Sequence, residues 1–165
     1  MIMKKILAIV TLATLCLTAS FKASAIELPN PTGTKTVGVM AGIDPFRFGA
    51  GIGGLVYFDY VLADSWGPGH FTVGGQFGYE YFPTSSNSAF SISPRATYGF
   101  NFTEKIEAHV GIAMGYYHYG RYVNGFYHGE FIGMNYHFTP SFSLSAQLGY
   151  TLFSPALCVG VAFQF

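Results

Sequence analysis

Six polar side chains stand out in a chain otherwise poor in charge: Asp59, Gln76, Glu80, Arg95, Glu107 and His109. They offer three carboxylates, one guanidinium, one imidazole and one amide. Two uses fit that set. The first is a network of mutually paired groups, as buried charge demands. The second is the lining of a narrow path for an ion or small ligand. Gln76 or Glu80 is expected to reach Arg95 across a single hairpin. A second set is His118, His128 and Glu130, an acid and bases that a hydrolase could use. Such an enzyme needs a nucleophile beside the histidine. The stretch HGE has Gly129 where a serine would help, and no G-x-S-x-G is present. His118 and His128 sit on neighbouring segments, but no carboxylate or cysteine completes a convincing metal set. No catalytic group, metal or cofactor is therefore expected.

These residues are positioned by a period of two. In FSLSAQLGYTL, Phe142, Leu144, Ala146, Leu148, Tyr150 and Leu152 alternate with Ser143, Ser145, Gln147, Gly149 and Thr151. Alternate residues of a strand face opposite ways, whereas a helix would scatter them. The segments starting at Phe71, Phe90 and Ile106 repeat the pattern. Strands are also expected over 34–44, 50–61, 127–138 and 157–165. In the 127–138 strand His128 and Glu130 fall on the apolar side, so a bulge or an exit from the membrane is expected there. Turn signals separate all eight strands: DPFRFG, ADSWGPG, FPTSSNS, FTEK, YVNG, FTPS and FSPA.

The N-terminus reads as a cleaved export signal. Lys4 and Lys5 precede an apolar run from Ile6 to Leu17, followed by Ala23-Ser24-Ala25. That run is shorter than the roughly 20 residues of a spanning helix. The expected organisation is a signal peptide over 1–25, a short linker over 26–33 and one all-β domain over 34–165. Cleavage leaves five Lys and Arg against eight Asp and Glu, and only Cys158, so no internal disulfide can form. Nothing in this charge suggests a nucleic-acid partner.

Alternating strands suit either a soluble barrel or sandwich or a membrane barrel. Composition decides between them. Charged residues are 10% of the chain, against about 25% in soluble domains. The face opposite the apolar one carries Gly, Ala and Ser with isolated polar groups, which suits a crowded barrel interior better than a solvated surface. Tyr and Phe gather near strand ends, as aromatic girdles require. The strands run to about ten residues, the length a tilted membrane strand needs. The fold expected is an eight-stranded antiparallel up-and-down transmembrane β-barrel.

On the signal peptide, the short turns FTEK and FTPS, and the alternating apolar ending VGVAFQF, the chain resembles the small outer-membrane barrels of the OmpA/OmpX type. The resemblance spans roughly residues 34–165 and does not extend to a peptidoglycan-binding domain. It implies a monomer in the outer membrane of a Gram-negative bacterium, in contact with outer-membrane lipid. It also implies periplasmic chaperones and an insertion machinery that reads Phe163 and Phe165. FTEK, FTPS and the connection around 64–69 would be periplasmic turns. The outer loops 44–49, 83–89, 121–126 and 154–157 would be short. The role expected is structural or surface-interacting, with a lumen plugged by side chains and no enzymatic activity. The alternatives are a narrow channel or small-molecule transporter and, second, a lipid-A-modifying enzyme.

Overall fold

The computed structural model describes residues 30–46, 50–121, 123–150 and 154–165. The export signal and its cleavage site lie outside the described residues. The alternating segments form eight strands: β1 (Lys35–Asp44), β2 (Gly51–Trp66), β3 (Gly69–Phe82), β4 (Asn87–Asn101), β5 (Ile106–Tyr119), β6 (Val123–Thr139), β7 (Phe142–Gly149) and β8 (Leu157–Gln164). Each pairs antiparallel with the next, and β8 returns to β1, so the sheet closes into a barrel in sequence order.

Closure runs from Thr36↔Gln164 to Ile43↔Leu157. One further pair seals it: Lys35 and Phe165 each donate a backbone N–H to the other's carbonyl, both at 3.0 Å. A closed sheet leaves no row of unpaired amides, the only kind of sheet that hydrocarbon tolerates. The chain's alternation to its last residue is thus the alternation of a closing strand.

The two faces are inverted relative to a soluble barrel. Asp59, Gln76, Glu80, Ser91, Ser93, Arg95, Thr97, Glu107, Ser143, Ser145 and Gln147 are buried inside. Val39, Ile52, Phe77, Ile92, Val110, Ile112, Met134, Leu148 and Val159 are exposed outside. Ile112 is 52% exposed and its neighbour Ala113 is 1% exposed, which is the period-two pattern in one step. Rings ring both ends of the outer wall. At the end that carries both described termini, Tyr136, Phe138, Phe142 and Phe163 follow one another at centroid distances of 5.0, 5.7 and 5.2 Å. At the far end Tyr79, Tyr81, Phe90, Tyr116 and Phe126 face out.

Three expectations need correction. No bulge interrupts β6 at His128 or Glu130: its register on β5 is continuous from Tyr136 to Val123, and both residues stay on the outer face. The register shifts lie at the terminal end instead, at Val61–Trp66 of β2 and His137–Thr139 of β6. The outer connections are also tighter than expected. β6 starts at Val123, so most of 121–126 is strand, and β4 starts at Asn87, so only the first four residues of 83–89 remain a turn. Gly120, at φ +59°, takes the left-handed conformation of the β5–β6 turn. The outer connection at 154–157 folds inward. Ser154, Pro155 and Ala156 are buried, and the Cys158 thiol donates to the Pro155 carbonyl.

Glycines make room where the wall is most crowded. A Cβ on Gly74 would sit 1.8 Å from the Phe58 carbonyl oxygen and 2.6 Å from Asp59 Oδ1. On the outer face, a Cβ on Gly75 would meet nothing closer than 3.7 Å. We expect Gly74→Ala to lower stability in urea unfolding from lipid vesicles by about 1–3 kcal/mol, with Gly75→Ala close to wild type. Equal loss in both variants would contradict the crowding.

Candidate functional site: the polar lumen

Three layers of polar groups fill the interior. The middle layer is built on Arg95, placed by β4 opposite Gly74 of β3 and Ala113 of β5. Both neighbours are small, which frees the volume a guanidinium needs. Arg95 Nε lies 3.2 Å from Asp59 Oδ1, an ion pair in which both side chains are nearly enclosed. Arg95 Nη1 donates to Gln76 Oε1 at 3.3 Å. The guanidinium is held between two rings, 4.4 Å from the centroid of Tyr57 and 4.5 Å from that of Phe131. A planar, weakly hydrated cation suits such a slot better than an ammonium does. Around it run hydroxyl contacts: Tyr57 with Ser145 at 3.2 Å, Tyr127 donating to Ser93 at 2.9 Å, and Thr72 with Thr97.

The layer at the terminal end centres on Glu107. Its Oε2 accepts from Asn30 Nδ2 at 2.7 Å and lies 3.2 Å from His137 Nε2. Its Oε1 accepts from Asn135 at 3.4 Å, with His70 Nε2 at 3.6 Å and His109 Nδ1 at 3.9 Å. Asn30 is held from its other side by Gln164 Nε2, which donates to Asn30 Oδ1 at 2.7 Å. Three imidazoles thus surround one carboxylate. They approach both of its oxygens from different strands, and among the described residues no three donors are arranged to hold a metal ion. Between the two layers is a cavity of about 20 Å³, bordered by Asp59, His70, Arg95 and Glu107. That is room for about one water molecule.

The far-end layer holds Glu80 and Asp44, both fully buried. Gly51 faces them; a Cβ there would lie 2.7 Å from Glu80 Oε1.

The six expected lumen residues are all interior, but they divide. Asp59, Gln76 and Arg95 meet. Glu107 and His109 belong to the terminal-end layer. Glu80 does not reach Arg95: its partner on β4 is Ala89, whereas Arg95 faces Gly74, six residues or about 20 Å along the strand. Five participants were not anticipated. His70 and His137 lie on the polar phase of their strands, and extending the alternation by one residue past the clearest stretches finds them. Tyr57 and Phe131 point inward, yet nothing in their type distinguishes them from lipid-facing rings. Asn30 precedes the first strand within the stretch expected to be linker and carries no periodic signal.

On the outer wall, His118 stacks on Phe90 at 5.1 Å and hydrogen-bonds Asn124. His128 is paired with Met114. The two histidines are therefore four rungs apart, about 13 Å. The His118 ring bonds an amide rather than a hydroxyl.

No protein-family model matches the chain, and no curated protein matches its sequence. Solved structures do match. Neisserial surface protein A superposes with a TM-score of 0.61 at 16% identity, over 81% of this chain and 98% of that one. OprG from Pseudomonas aeruginosa gives 0.58 at 8% identity, over 82% and 97%. Ail, the attachment invasion locus protein of Yersinia pestis, gives 0.51 at 13% identity, over 81% and 99%. The chain has the fold of the small eight-stranded outer-membrane barrels. At these identities the likeness concerns the fold alone.

Removing the Arg95 charge would strand Asp59 in the lumen. Breaking a buried pair from one side costs about 3–5 kcal/mol. We expect Arg95→Met to show a loss of that order in urea unfolding. Asp59→Asn combined with Arg95→Met should lose less than Arg95→Met alone. A double variant worse than the single one would mean that the two charges do not compensate each other.

Proposed function

We propose that the protein is a non-enzymatic outer-membrane barrel with a structural or surface-interaction role and a lumen closed by its own side chains. One observation carries this most: the interior is polar and paired while the exterior is a continuous apolar wall between two aromatic girdles. Such a wall in water would far exceed the apolar patches soluble proteins expose, so lipid is its solvent. In this orientation the end with the termini and short turns is periplasmic. Phe163 and Phe165 point outward at that end, 51% and 71% exposed, where an insertion machinery can read them.

The plug reading is supported by Arg95. It is clamped by Asp59, Gln76 and two rings, and eight strands enclose only enough space for side chains. Surface interaction is supported by the β5–β6 hairpin. Among the described residues β6 pairs with β7 from Phe131 onward, with one further bond from Tyr150 N–H to the Glu130 carbonyl, and Phe126 on the hairpin is 87% exposed. The test is conductance of the refolded mature chain in a planar bilayer at neutral pH. We expect no steady current while circular dichroism reports a folded β-protein. A steady current that changes in Arg95→Ala would replace the plug with a narrow channel.

A further inference from the structure

One stretch of the outer wall breaks the apolar pattern. β6 carries His128 and Glu130 on its exposed face, with Gly129 turned inward between them. Everything around the carboxylate is apolar or aromatic. Ile112 and Met114 of β5 stand opposite Glu130 and His128, Ile132 follows on β6, and Tyr150 lies alongside, its N–H on the Glu130 carbonyl. All four are exposed. His118, farther along the same wall, is answered by Asn124. Among the described residues, the side chains of His128 and Glu130 have no such partner.

Their height decides what can answer them. Phe126 and Tyr136 are outward-facing rings of the two girdles on the same strand, ten residues apart. Ten residues of a strand tilted about 40° rise about 25 Å, the height of the apolar band. Glu130 lies four residues inside the outer ring, about 10 Å below it. A glutamate side chain is too short to snorkel across that depth as lysine and arginine do near an interface. Lipid headgroups, at the level of the rings, therefore do not reach it. An ionisable group facing hydrocarbon is costly and marks a contact with something polar. Apolar contact supplies no drive for that, because lipid tails are as apolar as the wall. The partner must bring a donor for Glu130 and an acceptor for the His128 N–H.

The same strand of a second copy brings both. We propose that the protein pairs with a second copy of itself in the plane of the membrane, through the outer face of β6, with His128 of each chain donating to Glu130 of the other. Both copies enter the membrane in the same direction, so their two-fold axis lies along the membrane normal. The two side chains are two residues, about 7 Å, apart on one tilted strand. An axis passing at Gly129 sets His128 of one chain against Glu130 of the other, and symmetry repeats the contact. A neutral imidazole always carries one N–H, and its bond to a carboxylate is about twice as strong as one between neutral groups. No change of protonation is involved. Each chain remains a complete barrel, so pairing leaves the β1–β8 closure untouched. The single barrel that the resemblance implies would leave Glu130 facing hydrocarbon. Such pairing rests on the wall facing lipid and is independent of the closed lumen.

The test is energy transfer between donor- and acceptor-labelled copies of the refolded mature chain, followed as the protein is diluted in lipid vesicles. We expect transfer above the chance level. In His128→Leu or Glu130→Leu alone, half-maximal transfer should need about tenfold more protein per lipid, since both reciprocal contacts are lost. Leucine is what the lipid-facing wall carries at Leu144, Leu148 and Leu157, so both variants should fold, and circular dichroism of the same vesicles checks that. Mixing the two variants is the decisive arm. A His128→Leu chain keeps Glu130 and a Glu130→Leu chain keeps His128, so a mixed pair regains one of the two contacts. Transfer between the variants should therefore exceed transfer within either. Chance-level transfer in folded wild type overturns the pairing and leaves the lipid-facing wall standing. So does wild-type transfer in both single variants, or a mixture no better than its components. Should a single variant not fold, the exchange of His128→Glu with Glu130→His keeps both contacts and should pair like wild type; an unpaired exchange variant overturns the proposal equally.

Discussion

The structure depends on one constraint: every backbone amide must find its partner inside the sheet, because hydrocarbon offers none. An open sheet fails this test at two edges, and the β1–β8 ladder removes both. The reciprocal bonds between Lys35 and Phe165 carry that closure to the last residue. Once the sheet must close, the rest is constrained. An even strand number brings both ends of the barrel segment to one side. Eight strands give a lumen just wide enough for side chains. The lumen must then be filled, and the residues filling it must satisfy one another.

That filling explains the composition. Arg95 brings a charge into the middle of the barrel and needs volume, a counter-charge and faces to lie against. Gly74 and Ala113 beside it supply volume, Asp59 the charge, and Tyr57 and Phe131 the faces. Small residues on the inner face are therefore not neutral filler. Gly99 shows the same logic at the terminal end. A Cβ there would lie 2.6 Å from the His70 ring and 3.0 Å from Glu107 Oε1. Glycine permits the histidines to crowd onto the carboxylate.

The fold was legible in the sequence because lipid and lumen act on alternate residues. Each strand repeats the same binary choice several times, and a closed barrel has no other surface to confuse it. Lumen membership was legible for the same reason: Asp59, Gln76, Glu80, Arg95, Glu107 and His109 all point inward. Who meets whom was less so. Alternation gives the face of a residue but not its height, and height depends on register, which two shifts at the terminal end alter. Gln76 and Glu80 share the inner face of β3 and both stand as partners for Arg95, yet Gln76 reaches it while Glu80 sits near the other mouth. His128 and Glu130 suggest a bulge or an exit from the membrane because polar residues interrupt an apolar phase. The strand continues there unbroken, with both side chains on the outer face opposite Met114 and Ile112 of β5. Asn30 was invisible because its role comes from a fold-back of aperiodic chain.

The central claim is that the apolar face meets lipid and the polar face is enclosed. The most direct test places spin labels one at a time at Val110, Gly111, Ile112, Ala113 and Met114 of the refolded protein in lipid vesicles. Collisions with oxygen, which partitions into lipid, are then compared at each site. This account predicts alternation, with high oxygen collision rates at Val110, Ile112 and Met114 and low rates at Gly111 and Ala113. A uniform profile, or the opposite phase, would contradict it.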